Sequence, residues 1–62
     1  MNIKEYILWL EDETREIKKL INENEKLNIE QLEEIQCNLE NIKRIEKELS
    51  EIIEKKINEN EE

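Results

Sequence analysis

The stretch Leu27-Asn28-Ile29-Glu30-Gln31-Leu32 constrains this 62-residue chain more than any other. It reads as a helix start inside a sequence that is otherwise helical in character. Asn28 can cap the unsatisfied amides of a new first turn, and Gln31, three residues on, can bond back to the Asn28 amide. Leu27 before the cap and Leu32 at the fourth helical position are spaced to close a hydrophobic staple. Glu30 and Glu33 place negative charge at the positive end of that helix. Just upstream, Asn22-Glu23-Asn24-Glu25-Lys26 has no apolar residue, so nothing there can hold a helix against a core. The reading is an all-α, antiparallel two-helix hairpin of coiled-coil type, a single unit over 1–62. It places helix 1 at about 3–22, a turn at about 23–28, helix 2 at about 29–58 and a frayed acidic tail at 59–62.

Helix 1 opens in the same way. Asn2 is a cap, Glu5 completes the box, and Met1 with Tyr6 forms the staple. Ile3, Ile7, Leu10, Thr14, Ile17 and Ile21 keep the alternating four-three spacing of a heptad seam, widened by Tyr6 and Leu20. Lys18 and Lys19 suit the helix end. Asn22 or Asn24 is expected to take the left-handed conformation that stops a helix lacking glycine. In helix 2 the seam runs through Leu32, Ile35, Leu39, Ile42, Glu46, Leu49, Ile53 and Lys56, flanked by Ile45, Ile52 and Ile57. The two seams are out of phase. Ile21 to Leu32 is a step of seven plus four, which one continuous helix could meet only with a stutter filled by asparagine and glutamate. A single long helix, serving as a purely structural coiled-coil segment, is the alternative to a turn.

A chain this short supports only a marginal core without a disulfide, a metal or a partner subunit. There is one cysteine and no histidine, and with no glycine or proline and 45% charged residues the composition favours long helices. Helix 1 is too short to cover all of helix 2, so Ile52, Ile53 and Ile57 are expected to lie beyond its reach. Burying such residues is worth about 1.5–3 kcal/mol each. The expectation is a homodimer, two hairpins forming a four-helix bundle. Its self-association set is Ile3, Ile7, Leu10, Ile17, Ile21, Leu32, Ile35, Leu39, Ile42, Ile45, Leu49, Ile52, Ile53 and Ile57. A dimer carries −16, twice the −8 of one chain. Repulsion is screened beyond ~8 Å at physiological salt, so burial should prevail and the dimer should tighten with salt.

The same charge disfavours binding to nucleic acid, RNA included, and to anionic membranes. The longest apolar run, Tyr6 to Leu10, falls far short of a membrane span, and the N-terminus has neither a basic region nor a cleavage site. The chain reads as cytoplasmic.

For function, Leu8 and Trp9 are the most informative residues. With Ile7 and Leu10 on the seam they point elsewhere, making the helix apolar nearly all round. Tryptophan is enriched where proteins grip one another. Leu8, Trp9, Glu11, Asp12 and Glu16 are therefore the candidate contact with a protein partner of unknown identity. The competing reading buries Trp9 within the oligomer, against Ile52, Ile53 and Ile57. Thr14 and Glu46 either set register or are tolerated seam defects, Glu46 reaching out towards Lys4. Cys37 falls on the outer face of helix 2 among Glu33, Glu34 and Glu40, surroundings that do not activate a thiol.

The acidic groups Glu11-Asp12-Glu13-Glu16 and Glu33-Glu34-Glu40 are first of all solvated faces, supported by pairs such as Glu11 with Arg15 and Glu40 with Arg44. Without histidine the Glu-x-x-His element of di-iron bundles is missing, and no metal or cofactor is expected. An acidic helical surface can also imitate a nucleic-acid backbone, as small inhibitors from phages and mobile elements do, anti-CRISPR proteins among them. Catalysis is not expected: there is no glycine for a phosphate loop and no histidine base. The leading reading is a small non-catalytic interaction module or adaptor that self-associates. The alternative is an acidic inhibitor of a nucleic-acid-handling enzyme.

Overall fold

The computed structural model describes residues 2–60. They form two α-helices, α1 (Ile3–Glu23) and α2 (Ile29–Asn60), packed against each other as a hairpin. Both helices begin as their caps dictate. The Asn2 Oδ1 accepts from the Glu5 amide at 2.9 Å. At α2 the exchange is reciprocal: the Gln31 amide donates to Asn28 Oδ1 at 2.8 Å, and the Asn28 amide donates to Gln31 Oε1 at 2.9 Å. Leu27 is half-buried while Leu32, its expected staple partner, is 51% exposed. Met1, the other expected staple residue, lies outside the described residues, as do Glu61 and Glu62 of the expected tail.

Two boundaries differ from expectation. The helix runs through Asn58 to Asn60, because nothing in Asn58-Glu59-Asn60 breaks it and glutamate is a good helix former. The end of α1 uses no left-handed residue. Asn24 is extended, at φ −131° and ψ 124°, and no described residue has positive φ. Its side chain does the capping instead, Nδ2 donating to the Leu20 carbonyl at 2.9 Å. That bond satisfies one of the carbonyls a helix end leaves open without the steric cost a Cβ brings to the left-handed region.

At 1.5 Å per residue the 21 residues of α1 and 32 of α2 extend roughly 32 and 48 Å, and the molecule measures 53 × 16 × 15 Å. Asn38 bonds to Glu13 and Glu16, and Asn41 to Glu13. Residues of the two helices whose numbers add to about 53 therefore lie side by side, and α2 overhangs the start of α1 by about ten residues, roughly 15 Å.

The contact between the helices follows one heptad stripe on each. On α1 it is Ile3, Tyr6, Leu10, Glu13, Ile17 and Leu20, continued by the capping Asn24; on α2 it is Gln31, Ile35, Asn38, Ile42, Ile45, Leu49 and Ile52, all buried or half-buried. Tyr6, Ile45 and Leu49 form the core, with Ile3, Leu10 and Ile52 packed against them. Ile52 thus lies within reach of α1, contrary to expectation, because Ile3 at the start of α1 comes level with it. The core is thin: among the described residues no side chain is fully buried.

Candidate interaction surfaces

Only half of the apolar seam read from the sequence meets the opposing helix. Ile3, Leu10, Ile17, Ile35, Ile42 and Leu49 do. Their companions four residues on, Ile7, Thr14 and Ile21 in α1 and Leu39, Glu46 and Ile53 in α2, remain exposed, as does Leu32. The hairpin uses the residues three positions on instead: Tyr6, Glu13 and Leu20 against Asn38, Ile45 and Ile52. In an α-helix the three-on and four-on positions lie on opposite sides of the residue they share. Reversing one helix of a pair brings the four-on sides of both to the same side. Ile7, Thr14, Ile21, Leu32, Leu39, Glu46 and Ile53 therefore line one open face of the hairpin. Ile21 comes level with Leu32, Thr14 with Leu39, and Ile7 with Glu46.

That face is apolar enough to matter. Ile21 is 54% exposed, Leu39 54%, Leu32 51%, Ile7 42% and Ile53 39%. A folded chain of 7.6 kDa ordinarily exposes roughly 4,300 Å², whereas this one exposes 5534 Å². On the flank of the same face, Ile29 and Ile57 are also exposed. Thr14 is not an open polar defect, since its hydroxyl donates to the Leu10 carbonyl at 2.7 Å. Glu46 is exposed; the ion pair among the described residues is Arg15 with Asp12 at 3.1 Å, not the Glu11–Arg15, Glu40–Arg44 or Lys4–Glu46 pairs expected.

The opposite face carries the aromatic residues. Trp9 packs edge-on to Tyr6, ring centroids 5.3 Å apart and planes at 72°. Together with Asp12, Glu13, Arg44, Ile45 and Glu48 it lines a shallow cleft running across both helices. One turn along, the Asn38 amide reaches across to the Glu16 carboxylate at 2.9 Å. The five candidate contact residues are thus not one patch. Trp9, Asp12 and Glu16 share the aromatic face; Glu11 lies by the open face with Ile7 and Thr14; Leu8, 53% exposed, points away from α2. Within the hairpin Trp9 lines the same cleft as Ile45 and Glu48. From the sequence, Glu13 belongs to an acidic group and Arg44 to a pair with Glu40, and neither they nor Glu48 were joined to Trp9 as the cleft joins them. The signal was there in the second heptad stripe through Tyr6, Glu13 and Leu20, which passes directly under Trp9.

Cys37 is exposed on the outside of α2. Among the described residues no cluster of histidine, cysteine, aspartate or glutamate is arranged to hold a metal ion, and no helix is long and apolar enough to cross a membrane. The hollows between side chains are shallow and open to solvent. The class these features define is a two-helix hairpin with one apolar face uncovered. Comparison with protein-family models, curated proteins and solved structures finds no match to this chain.

Proposed function

We propose that this protein is a small, non-catalytic helical interaction module, or adaptor, that works as a homodimer in the cytoplasm and binds a protein partner through the aromatic face. The observation that carries the reading is the uncovered stripe of Ile7, Ile21, Leu32, Leu39 and Ile53 on one face of a hairpin whose own core is thin. Burial of each such side chain stabilises by up to about 1.5–3 kcal/mol. Two hairpins meeting on that face make a four-helix bundle whose core positions are the heptad seam of the sequence. The half-exposed Trp9, set between Ile45 and the carboxylates of Asp12 and Glu48, then stays on the outside, where tryptophan serves best as a contact residue. Light scattering or sedimentation equilibrium at tens of micromolar tests the first half. A monomer at both low and high salt would end this reading.

The acidity of the aromatic face favours a second reading, an acidic inhibitor that occupies the basic groove of a nucleic-acid-handling enzyme. Glu16, Glu23 and Glu34 line the hollow next to the Trp9 cleft, with Lys19 as the cation among them. Salt separates the two. Binding carried by Trp9 and Ile45 survives at high ionic strength, whereas an acidic mimic loses its target there.

A further inference from the structure

Resting on the homodimer reading above, we infer that the second copy packs on the open face with its turn at the opposite end of the bundle, so that α2 lies antiparallel along its partner's α2. The argument comes from where the uncovered residues sit along α2. A second hairpin can cover the open face in two ways. With both turns at one end, α1 of each copy lies over α2 of the other, and residues already level within a hairpin stay level between hairpins. The overhang of each α2 then projects beyond both α1 helices, leaving Ile53 and Ile57 without a neighbour from α1. Ile29, at 73% the most exposed of the large apolar residues described, meets only the Asn24 and Glu25 region of the partner.

With the turns at opposite ends, each α2 lies along the other in reverse, and the exposed residues match. Setting Leu32 against Ile53 of the second copy places Leu39 against Glu46, and Ile29 against Ile57 on the flank. Gln36 then faces Ser50, two neutral polar side chains at the rim. The overhang beyond Ile52, whose residues are exposed in their own hairpin, lands on Ile21 and Leu32 of the other copy. Glu46 is also better placed. In the same-end arrangement both Glu46 carboxylates share one layer of the core. In the opposite-end arrangement the two are in different layers, each beside Ile7 of its own chain and Thr14 and Leu39 of the other.

The cost falls near the two-fold axis. Lys43 meets Lys43 and Glu11 meets Glu11, all at the solvated rim, where salt screens them and where the partner's Glu46 is one turn from Lys43. The arrangement also sets the two Trp9 clefts back to back at nearly the same height, on opposite outer faces. The dimer then offers two equivalent contact sites to two partner molecules.

A nitroxide label on Lys26→Cys, in a Cys37→Ser background, reads the arrangement directly. Lys26 is exposed and in the turn. Opposite ends put the two labels of a dimer roughly 50 Å apart, about 16 residues of 1.5 Å rise on either side of the two-fold axis. Both turns at one end bring them within a bundle's width, roughly 20 Å, and that distance in a chain shown to be dimeric would overturn the inference alone. A monomer would overturn the homodimer reading, and this inference with it. Should the turn variant fail to fold, Gln36→Cys with Ser50→Cys in the same background replaces two exposed polar residues. Efficient oxidation to a covalent dimer is expected only if the α2 helices run antiparallel, since the two positions lie roughly 21 Å apart along one helix. Failure to cross-link in a dimeric sample would equally overturn it.

Discussion

Asn38, 92% hidden from solvent at 8% exposure, donates from Nδ2 to the Glu16 carboxylate at 2.9 Å and lies 3.4 Å from the Glu13 carbonyl. It is the one buried polar side chain of the described residues, and it joins the two helices in a layer where neither supplies an apolar residue. The carbonyl it approaches belongs to a helix, and the carboxylate it holds can return to water. Removing the amide therefore strands nothing. Asn38→Ala should cost about 1 kcal/mol, the net worth of such a bond. Asn38→Leu should leave the hairpin as stable or more so, because the layer gains apolar burial. Urea midpoints compare the two. A loss as large for leucine as for alanine would mean that the amide's geometry, not the space it fills, sustains the layer.

The reciprocal bonds of Asn28 and Gln31 hold the start of α2 at the point where the chain turns. Asn28→Ala should destabilise by about 1 kcal/mol, and Gln31→Ala by less: each loses one of the two bonds, but the amide freed by Gln31→Ala, that of Asn28, lies before the helix, whereas the amide freed by Asn28→Ala belongs to its first turn. Faster hydrogen exchange at the Gln31 amide in Asn28→Ala, with the centre of α2 unaffected, would locate the effect at the cap. An unchanged exchange profile would deny the cap this role.

Leu39→Ser tests the open face without confusing burial with charge. Leu39 is 54% exposed in the hairpin, so the monomer should lose little stability. The substitution leaves the net charge at −8, so repulsion between the copies is unchanged. Dimerisation should weaken by tenfold or more, as about 1.4 kcal/mol of lost burial per dimer would require. Sedimentation equilibrium showing unchanged affinity would exclude Leu39 from the interface.

Ionic strength should act in the opposite direction for the wild type. Going from about 0.01 M to about 0.15 M shortens the screening length from ~30 to ~8 Å, which relieves repulsion between two acidic chains while leaving apolar contact intact. The dimer should tighten, and the thermal midpoint should rise with both salt and protein concentration. A dimer that loosens with salt would point to ion pairs as its main support.

Trp9→Ala removes the edge-on contact with Tyr6 and the cover over Ile45. A loss of about 1–2 kcal/mol in hairpin stability is expected, with dimerisation retained because Trp9 faces away from the open side. Affinity capture from the source cell with wild type and variant then reads partner binding. If the variant instead becomes monomeric at concentrations where it is still folded, Trp9 belongs to the self-association surface.

Much of the architecture was legible in the residues. Asn28 and Gln31 announced a helix start, the apolar gap from Asn22 to Lys26 announced the turn, and the two bond to one another as their spacing requires. The heptad through Ile3, Leu10, Ile17, Ile35, Ile42 and Leu49 was equally plain. What could not be read was which neighbour of that stripe the hairpin would bury. Ile7 and Tyr6 flank Ile3 equally well, as do Leu39 and Asn38 on either side of Ile35, and on apolarity alone the four-on set is the better one. The cleft at Trp9 was likewise hidden, because it joins Trp9 and Asp12 to Arg44 and Glu48 from the far end of the chain.

The local order of side chains by itself determined two helices, their caps and an apolar stripe wider than one neighbour can cover, since these depend on contacts within a few residues along the chain. Only the packing of α1 on α2 decided that Tyr6, Ile45 and Leu49 form the core while Ile7, Leu39 and Ile53 stay open. The physical reason is geometric. A stripe three positions wide offers two seams to a single opposing helix, and the rotation of each helix about its own axis, which selects between them, is set by the partner it meets.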